Sequence, residues 1–225
     1  MQSVTYHYLR NTCYLNPGIH PIDWFSFKSH LKYYKENYSI LGLDENNFNL
    51  SSAYKNRLVL TFDDGLKEHL YASKLLKKEN ILGIFFIIGA TIDPKKQKIP
   101  LIHKIHWLRS QVGDKIFKKE VEDNLKIRFS DKRSLQKKAR EMHIHDNQET
   151  ALLKYVLNFV IDYNTLDKLT TRIFKKYYGQ NSESDFCKNY FLTMDEIKSI
   201  NAMGHTIGWH SYNHCPMSKL SKDEI

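Results

Sequence analysis

Cysteine is scarce in this sequence, and long apolar runs are missing. The three cysteines, Cys13, Cys187 and Cys215, are too few and too scattered over 225 residues for a disulfide framework or a zinc knuckle. They fit a reducing, cytoplasmic compartment. The longest uncharged apolar stretch, Ile81 to Ile92, has 12 residues, whereas a membrane-spanning helix needs about 20, so no membrane span is expected. The opening Met1-Gln2-Ser3-Val4-Thr5-Tyr6-His7 has neither the basic start nor the apolar core of a secretory signal. Internal repeats and low-complexity segments are absent too. What remains is 41% hydrophobic and 26% charged, the composition of a globular chain. The length suits one large domain, or one domain carrying an insertion.

The net charge of +9 is unevenly placed. Residues 101–180 hold 17 Lys/Arg against 10 Asp/Glu, while the rest holds 17 against 15. The basicity therefore belongs to the middle of the chain. It reads first as the solvated surface of Lys-rich helices, and second as a basic binding module for an anionic surface. No nucleic-acid motif accompanies it, so no nucleic-acid partner is expected.

The hydrophobic pattern predicts an α/β order. Val4 to Leu9 alternates and reads as a strand, and the Asn16-Pro17-Gly18 stretch as a loop. Phe25 to Tyr38 follows with helical spacing. Arg57 to Phe62 is a short apolar strand that runs into Asp63-Asp64-Gly65. Leu66 to Asn80 predicts a helix. Gly83 to Gly89 is a continuous apolar run between glycines, as for a strand buried on both faces of a parallel sheet. From residue 100 to 189 the period is helical, with Phe117, Val121 and Leu125 and then Leu153, Leu157 and Ile161 at four-residue spacing, which predicts four or five amphipathic helices. Thr193 and Glu196 form a capping box, Gly204 stops the helix, and His205 to Trp209 is a last strand. The expected fold is an α/β sheet or barrel over residues 1–99 and 190–225, interrupted by a helical subdomain over residues 100–189.

Two motifs carry candidate chemistry. Thr61-Phe62-Asp63-Asp64-Gly65 places adjacent carboxylates at the end of an apolar strand, where like charges beside a low-dielectric core repel unless a cation offsets them. The bland alternative is an acidic turn. His210-x-x-x-His214 also follows a strand, and imidazoles four apart can grip one divalent ion from a helical turn or a curved loop. Ser211 stands where a zinc peptidase would carry its Glu, which weakens the peptidase reading. In a parallel sheet both motifs fall on the rim of strand C-termini, where such folds place their sites. One carboxylate and two imidazoles give three ligands and an open position, and the remaining carboxylate is free to act as a base. His69 reads as structural. His103 with His106, and His143-Ile144-His145-Asp146, read as surface or packing residues, and Cys215 lacks a basic partner.

These motifs resemble those of the polysaccharide deacetylases with a NodB-homology domain, metal-dependent hydrolases of N-acetyl groups on sugars. TFDDG at 61–65 is similar to the family's first motif and His210-Ser211-x-x-His214 to its second. The lead-in from Met203 to Gly208, the strand from Ile84 to Gly89 and the opening Tyr6-His7 also look familiar. The resemblance implies a partial NodB-like (β/α) barrel with a helical insertion between the two metal-site motifs. It implies Asp63 as catalytic base, Asp64, His210 and His214 as ligands of a divalent metal ion, zinc first, and an acylated amino sugar or polysaccharide as substrate. The spacing between the motifs is far longer than the family's. Ile225 comes 11 residues after His214, before the family's Arg near the base and its general-acid His, and Ser221-Lys222-Asp223-Glu224 has the form of a capping box at the very end. The expectation is a truncated deacetylase. Such a chain either hydrolyses carbon-nitrogen amide bonds in carbohydrate metabolism or binds metal with little turnover.

Overall fold

A computed structural model describes residues 1–11, 19–42, 56–129, 133–179, 183–216, 220 and 222. The loop expected at Asn16-Pro17-Gly18, Cys13, and the capping box expected from Ser221 to Glu224 lie outside or largely outside these. The chain divides into two compact units. One joins Met1–Tyr14, His20–Pro100 and Ser182–Cys215, and the other is built on Leu101–Asn181.

The first unit is a parallel sheet with helices. Its strands are β1 (Gln2–Tyr6), β2 (Ser39–Ile40), β3 (Arg57–Phe62), β4 (Ile84–Ile87) and β5 (Thr206–Trp209). The sheet order is β1-β3-β4-β5, with β2 paired to the start of β3, and every pairing is parallel. Among the described residues no ladder joins β5 back to β1. β3 is the central strand, and Leu58, Val59, Leu60 and Phe62 are all buried, as a strand covered on both faces requires. Phe62 stacks on Phe85 with ring centroids 4.6 Å apart and on Tyr6 at 5.5 Å, with Phe27 edge-on at 6.1 Å. Fully burying side chains of this kind is worth about 1.5–3 kcal/mol each.

β1 starts and ends earlier than the alternation predicts. Its register is set by β3, with Gln2 opposite Leu58 and Tyr6 opposite Phe62, and Leu9 instead bridges Ile22. Helix α1 (Trp24–Asn37) is capped by Asp23, whose Oδ1 accepts from the Ser26 amide at 2.8 Å. α2 (His69–Lys78) begins three residues later than Leu66. Gly65 and Lys67 are tied elsewhere: Leu192 N donates to Gly65 O at 2.8 Å, and Lys67 N to Tyr190 O at 3.0 Å.

Those two bonds also draw in α7 (Glu183–Tyr190), which packs with the sheet unit through the buried Cys187 and Phe191. The boundary thus falls before α7 rather than after it. α8 (Met194–Ala202) carries the full capping box of Thr193 and Glu196. Two buried histidines pin the frame. His205 Nε2 donates to Ser73 O at 3.0 Å and its Nδ1 accepts from Gly83 N at 3.2 Å, joining α2 to β4 and β5. His69 Nε2 donates to His7 O at 2.8 Å. Burial lowers the pKa of both rings, although neighbouring carboxylates or carbonyls act the other way, so both stand neutral.

The second unit is helical: α3 (Leu101–Leu125), α4 (Arg133–Met142), α5 (Gln148–Tyr155), which runs into a π turn over Val156–Val160, and α6 (Tyr163–Tyr178). α3 is broken at Gly113, whose φ of 78° lies outside helical space. Of the predicted rows, Phe117, Val121, Leu153, Val156, Leu157 and Ile161 are buried, whereas Leu125 is half-buried and Val160 exposed; Leu152, Leu169 and Ile173 complete the core. Asn147 caps α5 and Asp162 caps α6. Lys104 is fully buried, 2.8 Å from Thr171 Oγ1 and 3.4 Å from Asp167 Oδ1. Among the described residues no helix is long and apolar enough to cross a membrane.

Candidate metal centre

The C-terminal ends of β3 and β5 lie on one rim because the sheet is parallel. β3 delivers Asp63 and Asp64. The turn that follows is left-handed twice, with φ of 77° at Asp64 and 63° at Gly65. Asp tolerates that region better than most residues, and Gly occupies it freely. The twist sends the two carboxylates apart. Asp64 turns inward, 4% exposed, and Asp63 stays at the rim with its side chain 19% exposed.

β5 delivers the histidines. His210 N donates to Ile87 O at 2.8 Å, continuing the ladder one step. The chain then curls on left-handed residues Ser211 and His214, φ 58° and 53°. Ser211 Oγ accepts from His214 N at 2.9 Å. The loop docks on the end of β4: Gly89 N donates to Ser211 O at 3.0 Å and Ala90 N to Tyr212 O at 2.8 Å. A Cβ at Gly89 would stand 2.9 Å from Tyr212 Cδ2, so the approach needs glycine. The Tyr212 hydroxyl donates to Asp93 Oδ2.

The result is a three-atom focus. His210 Nε2 and His214 Nε2 are 3.0 Å apart, and each is 3.4 Å from Asp64 Oδ1. Among the described residues this is the one group of three or more side chains placed to hold a metal ion. The donor set fits one. Bonds of about 2.0–2.1 Å in a tetrahedral shell leave neighbouring ligand atoms roughly 3.3–3.4 Å apart. Metal ligation requires both Nε2 atoms unprotonated, and a carboxylate facing two imidazole lone pairs would then repel them until a cation sat between. The geometry settles the choice left open by the spacing, since the histidines come from a curved loop and not from a helical turn.

Asp63, the expected base, lies beside this focus on the chain. Its amide donates to Tyr6 O at 2.9 Å, and its Oδ2 is 3.9 Å from His7 Nε2. His7 belongs to the opening Tyr6-His7 that looks familiar, without a role assigned to it, and the pairing of Tyr6 with Phe62 places the next residues, His7 and Asp63, side by side. Tyr8 is a further neighbour. Burial pushes its phenol pKa well up, the Asp64 carboxylate raises it further and Arg10 pulls it back, so it stays protonated. Arg10 clamps Glu68 through Nε at 2.8 Å and Nη2 at 2.6 and 2.7 Å, and lies 5.3 Å from the Tyr8 ring centre. Both residues lack a motif, and only the fold reveals them.

The other histidines keep the roles expected of them. His103 is buried in α3 against Trp107, with ring centroids 5.7 Å apart. His143 Nδ1 stands 3.8 Å from Asp146 Oδ2, and that carboxylate is held by Lys154 at 2.7 Å.

No family model matches the chain, and no curated protein sequence does. Solved structures are similar to it at a distance. The deacetylase PplD of Streptococcus pyogenes, in complex with acetate, aligns at 14% identity and a TM-score of 0.49 over 99% of this chain and 61% of that one. A de-N-acetylase from Aggregatibacter actinomycetemcomitans aligns at 21% identity and 0.34, over 41% and 38% of the two chains. A polysaccharide deacetylase from Bacillus cereus aligns at 18% and 0.35, over 48% and 35%. The chain thus spans about three fifths of the first and little more than a third of the others.

Proposed function

We propose that the protein is a metal-dependent hydrolase that removes the acyl group from the amide of an acylated amino sugar. One observation carries the reading. The ligand atoms of Asp64, His210 and His214 converge on one point while a second carboxylate, Asp63, stands next to them on the same rim. Motif order supports it too, since TFDDG and His-Ser-x-x-His resemble the deacetylase pair. The sheet suits an arc of a (β/α) barrel.

Asp64, His210 and His214 would hold the ion, zinc being the first candidate from two nitrogens and one oxygen. A divalent ion there would supply Lewis acidity toward water and toward the amide carbonyl. Asp63 takes the proton of the attacking water on a carboxylate oxygen, a role open to it because it is not drawn into the buried focus. The His7 imidazole stands 3.9 Å from that carboxylate, beyond direct hydrogen-bond reach. The Tyr8 phenol, kept protonated by burial and by the Asp64 carboxylate, adds no charge near Asp64. His69 and His205, both neutral, hold the strands that carry these groups.

The test is release of acetate from N-acetylated oligosaccharides by metal-loaded protein. Asp63→Asn should lower the rate by about 10²–10⁴ while zinc still binds in a competition titration. Equal acetate release by the variant would refute the assignment of Asp63, and absence of zinc binding by the wild type would refute the site.

A further inference from the structure

Next to Asp63, along β1, lies a cleft of about 360 Å³, of whose lining the chemistry above uses only His7 and Tyr8. Its walls are β1 with the residues that follow it, the segment just before α1, and α1 itself. They present three tyrosines, Tyr6, Tyr8 and Tyr34, and three histidines, His7, His20 and His30. Tyr6 is 4% exposed at the base, and its hydroxyl lies 3.1 Å from His30 Nδ1 and 3.5 Å from Tyr34 Oη. Burial, with the Tyr34 hydrogen bond, raises the Tyr6 pKa well above its ordinary value, so the Tyr6 hydroxyl at this base stays protonated. Among the described residues no Lys, Arg, Asp or Glu lines the cleft. One end is His7, whose imidazole is half exposed and 3.9 Å from Asp63.

We propose that this cleft is a subsite for a neutral pyranose next to the sugar that reacts at Asp63. The inference rests on the amide-hydrolase reading for which end of the ligand enters the centre, but its recognition chemistry is separate. A pyranose offers apolar C–H faces that lie against aromatic rings, and hydroxyls that both donate and accept. The described lining supplies both kinds of contact, with Val4, Ile22 and the Thr5 hydroxyl beside the tyrosines and histidines. Among these residues a phosphate or carboxylate ligand would find no Lys or Arg to answer its charge, and a basic one would meet a carboxylate only at Asp63, past the His7 end. A ligand that spans His7 would place one ring on the tyrosines and the next at the rim. This makes the preferred substrate an oligosaccharide rather than a single amino sugar.

Imidazole NMR of the full chain, labelled with ¹⁵N at histidine, tests this with two probes. The probes are the β-1,4 tetramers of N-acetylglucosamine and of glucose, with zinc chloride as a separate titrant. At least one tetramer should shift the His20 and His30 signals. Tyr34→Phe, or His20→Ala if the first variant folds poorly, should raise the tetramer Kd roughly three- to tenfold, the loss of one hydrogen bond. Zinc should shift His210 and His214 in both variants as in the wild type. Zinc shifts without any response of His20 and His30 to either tetramer would overturn the subsite and leave the metal centre standing. Tetramer shifts without a zinc response would support the subsite and refute the metal reading. Unchanged tetramer affinity in the folded variants would also overturn it.

Discussion

Gly89 lies outside the Asp64–His210–His214 focus, yet its replacement should weaken the binding of a metal ion there. A methyl group there would meet Tyr212 Cδ2 at 2.9 Å and Tyr212 Cα at 3.4 Å. The ring cannot simply swing aside, because its hydroxyl is anchored on Asp93. Relief has to come from the loop, which is bound to this point by the hydrogen bonds from Gly89 N and Ala90 N. Overpacking of this kind costs about 1–3 kcal/mol, and each weakened hydrogen bond adds about 0.5–1.5 kcal/mol. In a chain of this size, 1–3 kcal/mol lowers Tm by roughly 2–12 °C. The larger consequence is at His210 and His214, whose Nε2 atoms are set 3.0 Å apart by the curl of the same loop. Disturbing the groups that orient metal ligands typically costs 10–100-fold in affinity, so Gly89→Ala should bind zinc about 10–100-fold more weakly in competition with a chromophoric chelator. Gly113→Ala is the control. Its φ of 78° makes it strained as well, but nothing lies within 4 Å of the added methyl and it sits in the helical unit. It should lower Tm and leave zinc affinity unchanged. Zinc affinity within twofold of wild type for Gly89→Ala would refute the argument that the loop is seated by this contact.

Two more outcomes follow from buried groups. His69 and His205 have pKa values lowered by burial. The unfolded chain therefore binds protons that the native state refuses. Their contribution to stability is full above about pH 6.5, the unfolded value, and is lost as pH falls toward the folded values. The limiting slope is about 1.4 kcal/mol per pH unit for each ring. Urea denaturation from pH 7.5 to 5 should show a shallower pH slope for His205→Gln than for the wild type, and an equal slope would contradict the neutral assignment. In the helical unit, Lys104→Met should destabilise by about 3–5 kcal/mol, because it removes one partner of a buried ion pair and leaves Asp167 behind. Lys104→Met with Asp167→Leu should recover most of that loss, and a double variant no more stable than the single one would show that the pair is not what holds α3 to α6.

The parts of this molecule legible in the sequence are those where a local rule and the tertiary need agree. Arg57–Phe62 was readable because a strand buried on both faces is apolar throughout, and α8 because Thr193 and Glu196 are three residues apart and act only on their own helix. β2 was not readable, since two residues carry no period. Leu66 has helical spacing with Leu70, but the hydrogen bonds of Gly65 and Lys67 to Leu192 and Tyr190 hold the turn open until His69. The break at Gly113 was hidden because a glycine can sit in a helix at modest cost and only its φ tells otherwise. At the site, Asp63, Asp64, His210 and His214 announce themselves by chemical type and spacing. His7 and Tyr8 do not, because what makes them neighbours is a strand register, and Gly89 does not, because its function is to be small beside one particular ring.

The strain at the centre has a common pattern. Asp64, Ser211 and His214 are three of the six non-glycine residues with positive φ among the described residues, and all three belong to the two short segments that build the focus. Each such conformation costs of order 1–3 kcal/mol when the surroundings force it. Local hydrogen bonds offset part of this, as with Ser211 Oγ and His214 N. They do not explain why a carboxylate is turned 4% exposed into the same point as two imidazoles. A relaxed turn after β3 would leave both Asp63 and Asp64 in solvent, and a relaxed loop after β5 would let the histidines part. The chain instead bends twice against its backbone preference to bring one negative charge and two nitrogen lone pairs within 3.4 Å. Positive φ by itself is ordinary in turns, as at Asn56, Asn80 and Lys126, and it is the convergence of two such turns on one carboxylate and two imidazoles that suits a bound cation.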